Sequence, residues 1–192
     1  MSRNFYKIYL KRGVDITLGG ALLIVLIPIW LIVALAISVD SKGSIFFTQR
    51  RLGYAGKTFL LYKFRTMRVN ENRVESQVFK EHPDISALGV FLRRFKIDET
   101  PQLLNVLKGD MSLIGPRPCL PSLRKRFDHN GELRLEVKPG LSGWAQVNGN
   151  IYNSWVKRWE YDAFYAKNVS FFLDLKILKR TFWVVLFGEE NK

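Results

Sequence analysis

The chain has 192 residues, enough for one globular core and too few for two comfortable ones. Its formal charge of +13 calls for anionic partners, whether nucleic acid, an anionic lipid surface or a phosphorylated substrate. The single Cys119 excludes an internal disulfide and fits a reducing compartment, while the lack of repeats and low-complexity tracts excludes solenoids and linker-rich chains.

The first element is apolar. From Ile16 to Val39 there are 24 residues without a charge, long enough for a membrane helix. Asp40, Lys42 and a basic stretch follow directly, where a signal peptide would place small residues and a cleavage site. Arg3, Lys7, Lys11 and Arg12 precede the segment. Lys42, Arg50, Arg51, Lys57, Lys63, Arg65 and Arg68 follow it, with no acid between Asp40 and Glu71. Positive charge at both ends predicts that both stay on the cytoplasmic side. Pro28 removes a backbone donor near the middle and kinks any helix there. Each arm, Ile16 to Ile27 and Ile29 to Val39, would reach roughly 17 Å at about 1.5 Å per residue, short of a hydrocarbon core of roughly 30 Å. A re-entrant hairpin satisfies these lengths, and a single span with an ordinary proline kink satisfies them as well.

Ser44 to Met67 has β-branched and aromatic runs around a Gly53 to Gly56 turn, the pattern of a hairpin. Alternation puts Lys63 and Arg65 on one face with Phe59 and Leu61, either as part of a site or as the guard charges of a solvated edge strand. Val69 to Pro83 is polar, holds Glu71, Glu75 and Glu81, and reads as a surface excursion. Apolar periodicity resumes at Ile85 in a short amphipathic helix that delivers Arg93 and Arg94 just before Asp98. DETPQLLNVLKGD then predicts a helix with Asp98 as N-cap, Pro101 in the first turn and Gly109 as the stop. Asp98 and Glu99 either complement the helix dipole or do chemistry.

In SLIGPRPCLP, two prolines fix Arg117, a presentation suited to gripping phosphate oxygens and equally to a plain turn. Lys138 to Asn150 carries Gly140, Gly143, Gly149 and Trp144, the composition of a mobile loop closing on a ligand or of a structural Ω-loop. Asn153 to Asn168 and Val169 to Phe187 read as two helices with aromatic and basic residues interleaved, suited to a membrane interface. On the second, Lys176, Lys179 and Arg180 share a face and Asp174 falls on the opposite, apolar one. A carboxylate there needs a partner: a buried arginine, a metal or an active-site lysine.

Three stretches, FFTQRRLGYAGKTFLLYKFRTM, IDETPQLLNVLKGDMSLIGPRP and KPGLSGWAQVNGN, give the chain a resemblance to the bacterial sugar transferases, in particular the small monotopic phosphoglycosyl transferases that begin glycan assembly on undecaprenyl phosphate. The resemblance implies an α+β, mainly helical fold: a basic segment and re-entrant membrane helix over residues 1–40, broken at Pro28, then a catalytic domain over 41–192 with a small β-hairpin and amphipathic interfacial helices. It implies a bacterial inner-membrane enzyme facing the cytoplasm. In such enzymes an aspartate, here Asp98 in a dyad with Glu99, attacks the β-phosphate of a UDP-sugar; UMP leaves, and the covalent phosphosugar passes to the polyprenyl phosphate. Magnesium is the implied cofactor, with Asp98 as its ligand and Glu99 as a metal ligand or proton carrier. Lys63, Arg93 and Arg117 match residues around the phosphates, Trp144 lies in the expected substrate loop, and Asp174 matches a carboxylate near the same site. Two positions depart from the pattern: Ile27 stands where many members have serine before the kink proline, and Asn150 where many have arginine. The expected partners are the UDP-sugar, polyprenyl phosphate and membrane lipid, without nucleic acid and with room for homo-oligomers. The opposing possibility is a non-catalytic, membrane-anchored basic module for anionic lipid or nucleic acid, which accounts for the charge but not for the paired carboxylates.

Overall fold

A computed structural model describes residues 5–68 and 84–187. Arg3 and the polar excursion over Val69 to Pro83 lie outside them. The first turn, Tyr6–Leu10, is wound as π-helix and runs into helix α1, Lys11–Asp40. The two arms expected on either side of Pro28 continue as one helix with the proline inside it. Asp15, Gly19, Val33 and Ile37 of α1 are buried, and Leu26 and Trp30 pack against the cores. Their spacing draws one stripe down the helix at the 3.6-residue period. Ile24, Val25, Leu31, Ile32, Leu35 and Val39 face outward and are exposed. This is the reverse of a soluble core helix, because most of the apolar circumference has no protein partner.

Both ends of α1 are tied to the same body. At its start Lys11 Nζ donates to Asp174 at 2.5 Å, and Arg12 donates to the carbonyls of Val106 and Leu107 at 2.5 and 2.7 Å. At its end the buried Arg65 donates to the carbonyls of Ser41 and Lys42, satisfying groups just beyond the last turn. In the middle Trp30 Nε1 donates to Thr100 Oγ1 at 2.9 Å.

Strands β1, Phe46–Leu52, and β2, Thr58–Phe64, form the expected antiparallel hairpin, registered from Phe46 opposite Phe64 to Leu52 opposite Thr58. Its turn uses Ala55 and Gly56 at positive φ. Helix α2, Ala87–Arg94, begins with Ser86 Oγ accepting from Gly89 N. Helix α3, Gln102–Lys108, ends at Gly109 in the left-handed conformation, as its sequence position predicts. Asn105 of α3 is completely buried: it accepts from Tyr62 N at 3.1 Å and donates to Leu60 O at 2.7 Å, acting as a surrogate strand along one edge of β2.

The second sheet was not expected. Strands β3, Ser112–Ile114, and β4, Gly140–Ser142, pair in parallel, Ser112 opposite Gly140 and Ile114 opposite Ser142. A Cβ on Gly140 would strike the backbone of Gly115, and one on Gly143 would strike the Gly115 carbonyl. These glycines permit close backbone approach, so the reading of a mobile loop gives way to a packed one. After a short helix α4, His129–Leu133, helices α5, Trp155–Asn168, and α6, Phe171–Phe187, complete the chain. The main core gathers Tyr6, Leu103, Val106, Met111, Ile114, Tyr165 and Ile177, and α1, α3 and α6 all contribute to it. Cys119 packs in a smaller cluster with Leu52 and Leu135, where burial pushes its thiol up and leaves it inert.

Candidate active site

Four separate elements bring the expected residues together. Lys63 is the penultimate residue of β2, Arg93 lies in the last turn of α2, and Arg117 follows β3 between its prolines. Asp98 and Glu99 sit between α2 and α3 in a 3-10 turn, Ile97–Glu99. Lys96 turns the chain into it through a left-handed conformation, φ 57°. Asp98 is therefore inside the first turn rather than its N-cap, because Lys96 occupies the capping position and Thr100 and Pro101 carry helical geometry onward into α3.

The two carboxylates have different surroundings. Glu99, 8 % exposed, accepts from Lys63 Nζ at 2.7 Å and from both terminal nitrogens of Arg117, one at 3.0 Å. Burial pushes its carboxyl up, but Arg117 and Lys63 outweigh that and hold it well below the usual carboxylate range. A carboxylate so held fits an anchor for two cations. Asp98 is 6 % exposed and, among the described residues, accepts no direct hydrogen bond. Burial raises its pKa; Lys63 opposes this, the adjacent Glu99 charge adds to it, and Arg93 and Arg117 oppose it more weakly, leaving a net upward shift. Burial lowers the Lys63 ammonium more than Glu99 restores it. Arg93 is fixed by its Nε donating to Thr66 Oγ1 at 2.9 Å.

Two expected residues take their hydrogen bonds and ring contacts elsewhere. Asp174 accepts from Tyr6 Oη and Tyr165 Oη, each at 2.7 Å, and from Lys11. Its partner is thus an N-terminal lysine with two phenols, and none of its hydrogen bonds goes to the Asp98 group. Trp144 is half-buried against Phe164, with Lys176 and Arg180 over its ring at 5.3 and 5.6 Å. Arg65 shares a strand face with Lys63 in the sequence but serves the end of α1.

The sequence reading passed over the support layer. Arg134, buried against Phe127, donates to the carbonyl of Arg117 and pairs with the buried Asp162 at 3.1 Å. Nothing in the local pattern of either residue signals that they meet across 28 positions.

As donors for a metal, the oxygens of Glu99 are taken by cations, and among the described residues no three His, Cys, Asp or Glu side chains converge on one point. The open carboxylate of Asp98 suits a magnesium ion held by one protein ligand, water and substrate phosphate, the usual mode for that ion.

A buried acid with four charged neighbours thus lies on a fold that has, among the described residues, one helix long and apolar enough to cross a membrane. A family model described as bacterial sugar transferase matches residues 6–188, and the chain belongs to that family. It is 44 % identical over 180 residues to the uncharacterized sugar transferase EpsL of Bacillus subtilis, covering 94 % of this chain and 89 % of that protein. Over 192 residues it is 39 % identical to a UDP-glucose:undecaprenyl-phosphate glucose-1-phosphate transferase of Escherichia coli, covering 95 % of this chain but 41 % of that protein. The exopolysaccharide production protein ExoY of Sinorhizobium fredii is 35 % identical over 187 residues, 89 % of this chain and 83 % of that protein.

Proposed function

We propose that the enzyme moves a sugar-1-phosphate from a UDP-sugar to undecaprenyl or another polyprenyl phosphate, releasing UMP, through a phosphosugar carried on Asp98. The observation that carries this reading is the asymmetry of the dyad: Glu99 is saturated by Lys63 and Arg117, while Asp98 beside it keeps an open carboxylate. An Asp98 oxygen attacks the β-phosphorus, and the bond from that phosphorus to the bridging oxygen breaks with its electron pair leaving on UMP. An oxygen of the polyprenyl phosphate then attacks the same phosphorus and returns the carboxylate. Lys63, Arg93 and Arg117 offset the charge on the pyrophosphate as it separates, and they are preorganised by Glu99 and Thr66. Asp98 would hold magnesium, which supplies Lewis-acid neutralisation of the phosphate oxygens.

The contacts of α1 support a particular membrane disposition. A helix that crossed the bilayer would carry its far end away from the body, whereas here Lys11, Arg12, Ser41 and Lys42 all meet the same fold. A shallow, re-entrant seat on the cytoplasmic face keeps both ends near the headgroups and puts Asp98 where the phosphate of a lipid acceptor resides.

Asp98→Asn tests the chemistry. A panel of UDP-sugars is screened for UMP release, and the active one, labelled with ³²P at the β-phosphate, is incubated with enzyme in the absence of acceptor. Wild type is expected to retain label on protein; Asp98→Asn is expected to lose both label and UMP release while remaining in the membrane fraction. Undiminished UMP release by the variant would sink the nucleophile, and membrane binding without any UMP release in wild type would favour the non-catalytic basic module.

A further inference from the structure

The second core cluster joins α1 to the site. Trp30, Val33 and Ile37 of α1 pack there with Phe64, Leu92 and Ile97. Each of the last three adjoins a charged residue of the site: Phe64 follows Lys63, Leu92 precedes Arg93 and Ile97 precedes Asp98. The height of the site along α1 is therefore set here. Apolar packing is non-directional and fixes that height loosely, but one directional contact runs beside it. The half-buried Trp30 stands edge-on to Phe64, ring centroids 5.6 Å apart, and its Nε1 donates to Thr100 Oγ1 at 2.9 Å. A plain aromatic ring would pack there as well; the indole adds a donor, and the donor has an acceptor.

Thr100 passes the contact on. Its Oγ1 donates to Ile97 O at 2.8 Å, and the same carbonyl accepts from Thr100 N at 3.1 Å, closing the turn that carries Asp98 and Glu99. The shape of that turn has supports of its own: Glu99 N donates to Lys96 O at 3.2 Å, and Lys63 and Arg117 hold the Glu99 carboxylate. What the indole adds is the place of the turn along α1. That place matters unequally to the two substrates of the proposed reaction. A UDP-sugar arrives from water and meets the site at any height. A polyprenyl phosphate is held in the bilayer by its tail, so its phosphate is offered at one level.

We propose that Trp30 is a positioning residue for the lipid half of the transfer: through the Thr100 hydroxyl, its indole N–H holds the dyad turn at the height along α1 where the phosphate of a bilayer-held polyprenyl acceptor meets it. The inference rests on transfer to a polyprenyl phosphate and on the membrane seat of α1, both proposed above.

The test uses the full chain in nanodiscs of phosphatidylethanolamine and phosphatidylglycerol that carry undecaprenyl phosphate, with the UDP-sugar that gives UMP release. W30F keeps a ring against Phe64 and removes the donor; T100V removes the hydroxyl at nearly constant volume; T100S keeps it. In W30F and T100V, kcat/KM for undecaprenyl phosphate is expected to fall about tenfold or more, the cost of a small misplacement, while kcat/KM for the UDP-sugar stays within about threefold of wild type. The double variant is expected to lose no more than the worse single one, because both break one chain of bonds. T100S is expected to behave as wild type. Equal falls in both constants would mark general damage and overturn the proposal, as would no fall in either, additive losses in the double variant, or T100S as impaired as T100V. If W30F does not fold, the contrast between T100V and T100S decides. Transfer by wild type without label on the protein removes Asp98 as nucleophile and leaves both constants readable. No transfer to undecaprenyl phosphate by wild type sinks the proposed function, and this inference with it.

Discussion

At the scale of residues, adjacent carboxylates have been driven in opposite directions. The raised Asp98 must lose its proton to act, so the acid limb of kcat/KM for UMP release is expected above the ordinary aspartate value of about 3.9. A pH profile with its limb at or below that value would contradict the environment described for Asp98. Glu99 titrates the other way: its folded pKa lies below the unfolded one, so its contribution to stability is full above about 4.3 and is lost as pH falls below that. Glu99→Gln leaves Lys63 and Arg117 facing each other without their anion. Breaking a fully buried pair costs about 3–5 kcal/mol, and since the Arg117 side chain is over a third exposed, about 2 kcal/mol is expected here by denaturant titration. Activity should fall roughly a hundredfold through misplaced cations, and the acid sensitivity of the variant should be flatter than that of wild type. The members of this group came from the family resemblance, since the paired acids and nearby cations alone read equally as a helix cap and a solvated strand. The division of labour within it was not legible, because it depends on which carboxylate the strand and the proline-bounded loop reach, a matter of three-dimensional approach.

At the scale of elements, the hairpin, α2, α3, α5 and α6 could be placed from turn residues, caps and periodicity, since each is specified within its own stretch. The β3 and β4 pair could not, because two three-residue strands 28 positions apart carry no period to read. Its glycines looked like loop residues for the same reason: close backbone approach and mobility draw on one amino acid. Asp174 shows the limit differently. Its helical face announced a buried acid in need of a partner, yet the partner came from 163 residues away. Asp174→Asn would leave the part-buried Lys11 without its anion and is expected to cost about 3 kcal/mol in micelles. The folded fraction should keep more of its turnover than Glu99→Gln does. A loss of turnover as deep as that of Glu99→Gln, at unchanged stability, would return Asp174 to the chemistry.

At the scale of the whole molecule, the cations behind the charge of +13 include one set that fastens the fold and another gathered at the dyad. Lys11, Arg12 and Arg65 fasten α1; Lys63, Arg93 and Arg117 surround the dyad. Single cysteines introduced at Lys7 and Lys42 test the seat of α1, against a background kept low by the burial of Cys119. Both are expected to react with an impermeant thiol reagent from the cytoplasmic side only, and labelling from opposite sides would show a span. The fastening of α1 also imposes an order on biosynthesis. Tyr6 and Lys11 leave the ribosome well before Asp174, which is made 168 and 163 residues later. In the interval the apolar circumference that the described fold never covers needs another cover, and under the proposed membrane seat the bilayer would act as a holding chaperone for the helix before α6 arrives to lock it.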